Sequence, residues 1–336
     1  MVAASTQSTS KIQAHSHCGS VFRSAVAETQ GHRPSYEDAY AITSEEKTVY
    51  FWLFDGHRGD CASRFAAELF GSPEFSPSDK LPSNRRICRA FQTVDNRLRD
   101  HLCQSNLGNA GSTAVGALVA HEADGTFSAK LVNCGDSRCV VVRPPGEQSE
   151  EAAAIQVKLP ESLKSFCEAP DVNWSKDASW LPEWPAVVET IDHKPSMCFE
   201  RARIEAAGGT VCGGRTARLD GNLAVSRSLG DFDFKKEKRP VAEQKVSCLP
   251  DIYEVSGLPE GSLLLLACDG LWDTMSTEEA AQFVRERLEQ NPSLELADIA
   301  QELIDFSLEA TRDNVTVLLA QLSQGEGSEH SEPEAE

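Results

Sequence analysis

Short apolar runs of strand length recur along the chain, with polar segments between them. The runs 39–42 and 49–54 flank the polar turn 44–47, which predicts an antiparallel hairpin. The same pattern predicts strands over 111–119, 129–133, 139–142, 263–268 and 315–322. Helical periodicity predicts helices over 85–104, 200–207, 277–290 and 294–310. Because helices occur in pairs between groups of strands, the order does not fit a strict alternation of strand and helix.

Acidic residues stand where several of these runs begin or end. The hairpin would bring Asp38 close to Asp55, with Glu37 at the same open end. Asp269 follows the run 263–268 and Asp313 precedes the run 315–322, so antiparallel pairing of these runs would bring two more acids together. Carboxylates this close repel one another unless a cation offsets their charge, and oxygen ligands suit Mg²⁺ or Mn²⁺. The pattern therefore predicts a metal site, although polar loops also place acids beside strands.

Glycine stands next to three of the acids, in Asp55-Gly56, Gly135-Asp136 and Asp269-Gly270. A missing Cβ lets the backbone turn sharply or bring a carbonyl group close to an ion. Glycine is common in turns, so one such pair alone says little. Beside clustered acids, the three pairs favour an ion site.

Nine short motifs occur in a fixed order, over residues 33–38, 55–59, 111–114, 133–138, 192–195, 200–209, 223–231, 268–273 and 313–316. The first reads RPSYED, the second DGHRG and the last DNVT. Together they resemble the metal-dependent Ser/Thr protein phosphatases of the 2C type, over about residues 19–322. One such string would be weak evidence, whereas the ordered set coincides with the acids described above.

The resemblance implies an α+β fold, a four-layer α-β-β-α sandwich. Two antiparallel sheets pack face to face, helices lie outside, and a metal site occupies the cleft at one end. The strand and helix pattern is compatible with this fold. The implied cofactor is Mg²⁺ or Mn²⁺, with two ions per active site and a third, weaker ion as an open alternative.

Position by position, the resemblance assigns metal-binding roles to Glu37, Asp55, Gly56, Asp136, Asp269 and Asp313. Asp55 would bridge both ions, and Gly56 would contribute its carbonyl oxygen. Glu37 would bind directly or through water, and Asp136 matches the position linked to the third ion. Asp38 and Asp273 match positions that contact the ligands rather than the ions.

The resemblance also implies the reaction, which is hydrolysis of phosphoserine and phosphothreonine in proteins. Two close cations lower the pKa of a bridging water, which then attacks phosphorus in line. Besides Asp55, the catalytic residues would be Arg33 and His57. Arg33 would bind the phosphoryl oxygens, because a guanidinium matches phosphate geometry and keeps its charge. His57 would be the general acid that protonates the departing Ser or Thr oxygen.

Two residues depart from the motifs of the family. Tyr36 stands where the family commonly has Met, which predicts a change in packing. Arg58 stands where the family commonly has Gly after the histidine. Its side chain could lower the pKa of His57, contact phosphate or point to solvent, and the orientation to solvent is favoured.

The domain prediction places a catalytic domain, residues 19–323, between a disordered segment 1–18 and a disordered acidic tail 324–336. An acidic insertion of about residues 146–188 contains Trp174, Trp180 and Trp184. A long segment without periodicity is either disordered or functional. The tryptophans favour packing on the enzyme body, with a partner-binding site as the alternative.

Two other functions are compatible with parts of the chain. Residues Cys212 to Arg218 have the spacing of a cysteine-phosphatase loop, in which a thiolate attacks phosphorus and Arg binds phosphate. That loop needs an apolar strand before it and a helix after it, and the sequence predicts neither. The other alternative is a catalytically weak or inactive relative that acts as a protein-binding scaffold. The retained metal-binding acids argue against the scaffold, and Arg58 is the nearby change that keeps it open.

Composition limits the domain size, the binding partners and the cellular compartment that fit this chain. The chain has 336 residues, 40% of them hydrophobic, which suffices for one large core. A net charge of −20 disfavours binding to nucleic acid or anionic membranes. Eleven scattered cysteines without a Cys-x-x-Cys pair favour reduced thiols, and neither a secretory signal nor a membrane span is apparent. We therefore expect a monomer in the cytoplasm or nucleus that acts on phosphoprotein substrates.

Overall fold

Two antiparallel six-stranded sheets form the centre of the protein. The computed structural model describes residues 11–105, 107–147, 155–163, 182, 184–214, 216–236 and 238–323. In spatial order, the first sheet contains β1 (Gln13–Gly19), β2 (Phe22–Thr29), β17 (Val315–Leu322), β16 (Leu263–Ala267), β9 (Arg138–Val142) and β11 (Ala186–Glu189). The second sheet contains β10 (Gln156–Lys158), β15 (Asp251–Leu258), β8 (Phe127–Cys134), β7 (Ala114–His121), β4 (Thr48–Phe54) and β3 (Ala39–Glu45).

Helices cover the outer face of each sheet. The second sheet packs against α1 (Cys61–Phe70) and α2 (Asn84–Ser105). The first packs against α4 (Asp269–Trp272), α5 (Thr277–Gln290) and α6 (Leu296–Leu308). Ser276 and Glu279 form a capping box that starts α5. This arrangement confirms the four-layer α-β-β-α sandwich.

A small lobe, which has its own short sheet, and a second short sheet border one end of the sandwich. The lobe contains α3 (Cys198–Ala206) and the two-stranded sheet of β12 (Val211–Cys212) and β13 (Arg218–Leu219), packed around a small core of its own. The other short sheet contains β14 (Leu229–Gly230), β6 (Gly111–Ser112) and β5 (Gly56–His57). Both border the cleft described below.

Strand β4 shows why the sequence forms this sandwich. Its side chains alternate between the core that separates the two sheets and the core beneath the helices. The first set is Val49, Phe51 and Leu53, and the second is Tyr50, Trp52 and Phe54. Because both faces are buried, the strand reads as one continuous apolar run.

The prediction of disorder over residues 1–18 is wrong for Gln13 to Cys18. These residues form most of β1, which pairs with β2 along its whole length. The sequence is polar because β1 is an exposed edge strand, held by backbone hydrogen bonds more than by buried side chains. Residues 1–10 and the predicted tail 324–336 lie outside the described residues.

The described ends of the predicted insertion pack on the body of the protein. Its first part contributes β10 to the edge of the second sheet, and Leu163 is fully buried in the core between the sheets. Its last part contributes β11 to the first sheet. Two guanidiniums approach the Trp184 ring, whose centroid lies 5.4 Å from Arg143 and 5.0 Å from Arg285. Trp174 and Trp180 lie outside the described residues.

The cysteines that the structure describes are free thiols, and Cys167 lies outside the described residues. Among the residues searched, every helix is too short or too polar to cross a bilayer.

A buried charged network connects the small lobe to the second sheet. Arg227 donates hydrogen bonds to Glu200 (2.8 and 2.9 Å) and to Asp251 (2.7 Å), and all three side chains are buried. Burial alone would raise the pKa of Glu200, but Arg227 and Arg203 outweigh it and lower this pKa to about 2. His193 links the network to the cleft, since its ring contacts Asp251 and accepts a hydrogen bond from the Gly135 N–H.

Replacement of Arg227 by Leu is expected to lower the free energy of unfolding by about 3–5 kcal/mol, because two buried carboxylates lose the cation that they share. Urea unfolding followed by circular dichroism measures this change. Arg201→Leu is the matched control, since it breaks an exposed pair with Glu205 and should change stability little. A loss below about 1 kcal/mol for Arg227→Leu would contradict the role given to the network.

Candidate metal centre and active site

The strand pairings bring the predicted acids to one cleft. Ala39 pairs with Phe54. Asp38, which precedes Ala39, and Asp55, which follows Phe54, therefore lie at the same open end of the hairpin. Ala267 pairs with Val317, which places Asp269 and Asp313 near one another at the same end of the molecule. The cleft has a volume of about 700 Å³. Its lining includes Arg33, Glu37, Asp55, Gly56, His57, Asp136, Lys194, Asp269, Asp273 and Asp313.

Closely spaced acids form the floor of this cleft. Ligand atoms of Asp38, Asp55 and Cys268 lie within 4.8 Å of one another. Burial raises the pKa of Asp55 well above its usual value, and the charges of Asp38 and Asp269 raise it further. Burial and the neighbouring Asp136 likewise raise the pKa of Asp269. Burial also raises the pKa of Asp38, to about 7. The cluster is therefore unfavourable as a set of free carboxylates.

The donor set fits hard divalent cations. Asp55 and Asp269 have no ion-pair partner in the part of the chain that the structure describes, and Asp38 Oδ1 is buried without a hydrogen-bond partner there. Carboxylate and backbone carbonyl oxygens are the ligands that Mg²⁺ and Mn²⁺ prefer. Positive charge at this position would offset the burial and the mutual repulsion that raise these pKa values. The residues present thus fit the predicted metal.

The backbone at Gly56 lies close to the Glu37 carbonyl oxygen. A Cβ atom at position 56 would lie 2.3 Å from the Glu37 carbonyl oxygen and 2.7 Å from Ser63 Oγ, so no larger residue fits there. The Glu37 carboxylate accepts hydrogen bonds from Ser35 Oγ (2.6 Å) and from the Gly59 N–H (3.0 Å). These contacts hold the Glu37 side chain at the wall of the cleft.

Arg33 lies at the edge of the cleft and pairs with a predicted metal ligand. Its Nη2 donates to Asp313 Oδ2 at 2.5 Å, and its side chain is 56% exposed. A guanidinium has five N–H donors, so this contact leaves others for a ligand in the cleft. Arg33 thus lies beside the acids that were predicted to bind metal, in an ion pair that the sequence did not predict.

Asp136 and Asp273 also line the cleft, as does Lys194. Lys194 Nζ donates to the buried Asp136 at 2.5 Å. Burial opposes the charge of Lys194, but the attraction of Asp136 outweighs it and raises the lysine pKa. Burial also raises the pKa of Asp273, which lines the cleft next to Lys194. Lys194 thus offsets part of the negative charge where the third ion was predicted.

His57 contacts a carboxylate from a distant part of the chain. Its Nε2 lies 2.7 Å from Asp231 Oδ2, which also accepts a hydrogen bond from Ser228 Oγ at 2.6 Å. Asp231 is fully buried, whereas the His57 side chain is 26% exposed in the cleft. Burial alone would raise the pKa of Asp231, but His57 and Ser228 outweigh it and lower this pKa. A Cβ at Gly111 would lie 2.2 Å from Asp231 and 2.3 Å from His57, so only glycine permits this pair.

Arg58 turns toward the same carboxylate instead of pointing to solvent as favoured from the sequence. Its Nη1 lies 3.8 Å from Asp231 Oδ1, and its guanidinium lies 5.9 Å from the Phe234 ring centroid. Its backbone has a φ of 60°, a left-handed conformation that is unfavourable for a residue with a Cβ. This conformation explains why glycine would suit the position.

Comparison with known proteins decides the family. The family model described as Protein phosphatase 2C matches residues 15–151 and 187–315. The chain belongs to this family. The unmatched residues 152–186 fall within the predicted acidic insertion. Mouse Protein phosphatase 1B is 30% identical over 333 residues, which cover 93% of this chain and 73% of that protein. Human Protein phosphatase 1A is 30% identical over 320 residues, which cover 90% of this chain and 71% of that protein.

Solved structures confirm the fold of this 2C phosphatase. A phosphatase from a pathogenic strain of Toxoplasma gondii has a TM-score of 0.73 at 21% identity, covering 94% of this chain and 96% of that chain. Serine-threonine phosphatase 2C from Toxoplasma gondii has a TM-score of 0.65 at 21% identity, covering 94% and 100%. As a family member, the protein is a metal-dependent protein serine/threonine phosphatase that acts on phosphoproteins.

The Cys212 loop of this 2C phosphatase lacks the geometry of a cysteine phosphatase. Cys212 lies in β12, an exposed strand that returns through a turn into β13 rather than into a helix. Arg218 donates to the Asn222 carbonyl and lines the metal cleft, whereas Cys212 does not line it. Cys212 is therefore not positioned to attack a phosphate in that cleft.

Two contacts of this 2C phosphatase were not found from the sequence. Asp231 ends the motif 223–231 and Lys194 lies in the motif 192–195, but neither motif gave these two residues a role. Both are charged residues in motifs that also supply cleft residues. Their partners, His57 and Asp136, are distant in sequence, so no local pattern pairs them.

Proposed function

We propose that this 2C phosphatase hydrolyses phosphoserine and phosphothreonine with two divalent ions held by Glu37, Asp55, the Gly56 carbonyl, Asp269 and Asp313. His57 is the general acid, and Arg33 binds the phosphoryl group. The observation that carries the proposal is the pair of cleft acids, Asp55 and Asp269, which form no ion pair with any described residue and whose pKa values are raised by burial and by neighbouring acids. When bound, the ions activate a water molecule and neutralise charge on the phosphoryl oxygens.

The substrate phosphate lies between Arg33 and the acidic floor. The donors of Arg33 that do not contact Asp313 are available to equatorial phosphoryl oxygens, which fixes the orientation of phosphorus. Water attacks phosphorus from the floor, and the bond from phosphorus to the Ser or Thr oxygen breaks on the opposite side. The products are inorganic phosphate and the free hydroxyl of the side chain.

His57 supplies the proton for the departing oxygen. Its Nε2 is engaged with Asp231, so Nδ1 is the ring nitrogen from which the proton is transferred. The Asp231 carboxylate stabilises the protonated ring and fixes its orientation. Arg58 also lies near Asp231, so it shares the carboxylate that holds the acid.

A third ion would require Asp136, and Lys194 competes for this carboxylate. The short contact between Lys194 and Asp136 explains why a third ion would bind more weakly than the first two. Asp273, beside Lys194 in the cleft, is the second carboxylate available to it. Asp38 contacts Thr316 Oγ1 and lies behind the ligands, where it orients them.

The oligomeric state, cellular location and binding partner of the enzyme are further proposals. A monomer in the cytoplasm or nucleus is consistent with the free thiols and the acidic composition. A partner site at the acidic insertion is the alternative to packing, and deletion of residues 164–181 with a pull-down assay tests it. Loss of a binding partner without loss of stability would favour the partner site.

Hydrolysis of a phosphothreonyl peptide with and without excess EDTA tests the proposed function. We expect EDTA to abolish the activity and Mn²⁺ or Mg²⁺ to restore it, because the uncompensated acids are the ligands. Titration of each ion distinguishes which of the two is more effective. Activity that is indifferent to EDTA would contradict the metal mechanism, and inactivity on a panel of phosphopeptides would favour the scaffold.

A further inference from the structure

A second cavity lies away from the metal cleft, between the second sheet and its helices. It has a volume of about 230 Å³ and is lined by residues of β4, β7, α1 and α2 and of the segment between the helices. Tyr50 lines this cavity from β4, which ends one residue before Asp55, five residues further along the chain. At the rise of a β-strand this separates the two sites by about 17 Å.

The floor and walls of the cavity are aromatic and buried. Tyr50 and Trp52 are each 3% exposed, and Phe70 and Leu118 are each 2% exposed. The Trp52 ring packs against Phe70 with the centroids 4.6 Å apart, which fixes its position. Such walls favour a flat aromatic ligand, because ring faces and edges stack well on one another.

The floor also contains a donor without a partner. Trp52 Nε1 is buried and has no hydrogen-bond acceptor among the described residues. Buried indole N–H groups usually have an acceptor, and leaving one unpaired costs free energy.

Two arginines at the opening of the cavity favour a ligand with negative charge. Arg86 and Arg89 of α2 line the cavity, are exposed, and form no ion pair with any described residue. Glu74, which also lines the cavity, is already paired with Arg97 by two hydrogen bonds of 2.7 and 3.0 Å. On a chain with a net charge of −20, this is a local excess of positive charge. Guanidinium groups match the geometry of a carboxylate.

We propose that this cavity binds a small aromatic monocarboxylate, with the ring among the aromatic lining residues and the carboxylate at Arg86 and Arg89. An apolar cavity of about 150 Å³ can hold benzene. The larger volume here therefore accommodates a fused pair of rings. The site is independent of the metal cleft and of the reaction proposed there.

Isothermal titration calorimetry of the Mn²⁺-loaded protein with 2-naphthoate tests the proposal. We expect binding with one-to-one stoichiometry, and binding of the neutral 2-naphthalenemethanol weaker by about tenfold or more, because the charge contacts are lost. The double variant Arg86→Gln/Arg89→Gln should bind 2-naphthoate more weakly than the unchanged protein by a similar factor. Ala90→Met should abolish binding, because the longer side chain fills the cavity from α2.

Arg85→Gln is the matched control, since Arg85 is exposed on the same helix but does not line the cavity. It removes a positive charge and should leave binding unchanged. All these variants should keep the phosphatase activity of the unchanged protein, because they lie outside the metal cleft. Arg86 and Arg89 are exposed, so their replacement tests the site even if Ala90→Met fails to fold.

Several results would overturn the proposal. One is the absence of binding at millimolar 2-naphthoate, and another is equal binding of the neutral alcohol. Binding that persists in both the double variant and Ala90→Met would place the ligand elsewhere, such as at the metal cleft. Tighter binding of an acidic peptide that contains Phe would identify a protein-docking surface instead of a small-molecule site.

Discussion

Replacement of Asp269 by Asn is expected to lower kcat/KM for a phosphothreonyl peptide by at least about 100-fold while the fold stays intact. The variant loses one charged metal ligand, and each 1.36 kcal/mol of lost charge stabilisation in the transition state costs about tenfold in rate. Metal-free Asp269→Asn should be no less stable than the original protein, because burial and neighbouring acids disfavour the charged form of Asp269. Steady-state kinetics and thermal unfolding measure both effects.

Thermal unfolding with Mn²⁺ separates a lost ligand from a damaged fold. An ion that binds only the folded state raises the unfolding temperature, and this rise should be smaller in Asp269→Asn. Cys212→Ser is the control, because Cys212 is exposed in β12 and outside the cleft, and it should change neither activity nor the response to Mn²⁺. The opposite ranking of the two variants would overturn the metal mechanism.

Replacement of Asp231 by Asn is expected to lower activity on a phosphothreonyl peptide by about 100-fold, the lower end of general acid catalysis. The amide keeps the shape of the side chain but no longer stabilises a protonated His57. The loss should be small for p-nitrophenyl phosphate, because p-nitrophenolate departs without a proton. Parallel kinetics on the two substrates measure this selectivity, which a merely structural role would not produce.

Two further variants test whether Asp231 acts through His57. His57→Gln should show the same selectivity, and His57→Gln/Asp231→Asn should be no less active than His57→Gln alone. Ser228→Ala is the control, since Ser228 contacts Asp231 but not His57, and it should have a smaller effect on both substrates. Equal losses on both substrates in Asp231→Asn would show that Asp231 supports the fold instead of the general acid.

The elements with strong local patterns were predicted well. Helix α5 covers the predicted residues 277–290, and β4 covers the apolar run 49–54 with one further residue. The hairpin of β3 and β4 was predicted because apolar runs and a polar turn are adjacent in sequence. Strand β1 was missed, because its exposed edge position gives it a polar sequence.

The candidate site was predicted in part from the acids and in part from the family resemblance. The ends of the apolar runs indicated that Asp38, Asp55, Asp269 and Asp313 meet, and strand pairing brings them together. The roles of Arg33, Glu37 and His57 came from the resemblance alone. The orientation of Arg58 was wrong, because the attraction of a buried carboxylate far along the chain is not visible in a local motif.

The sequence by itself determined the order of the main strands and helices, the family and the acids that meet in the cleft. These are properties of short segments, in which side-chain periodicity and the position of charged residues are local. Only the tertiary structure decided that Asp231 holds His57, that Lys194 pairs with Asp136, and that an aromatic cavity lies beneath two unpaired arginines. His57 and Asp231 are 174 positions apart, so their contact depends on how the short sheet at the cleft assembles. A cavity likewise depends on how side chains from several elements pack, and packing is a property of the whole fold.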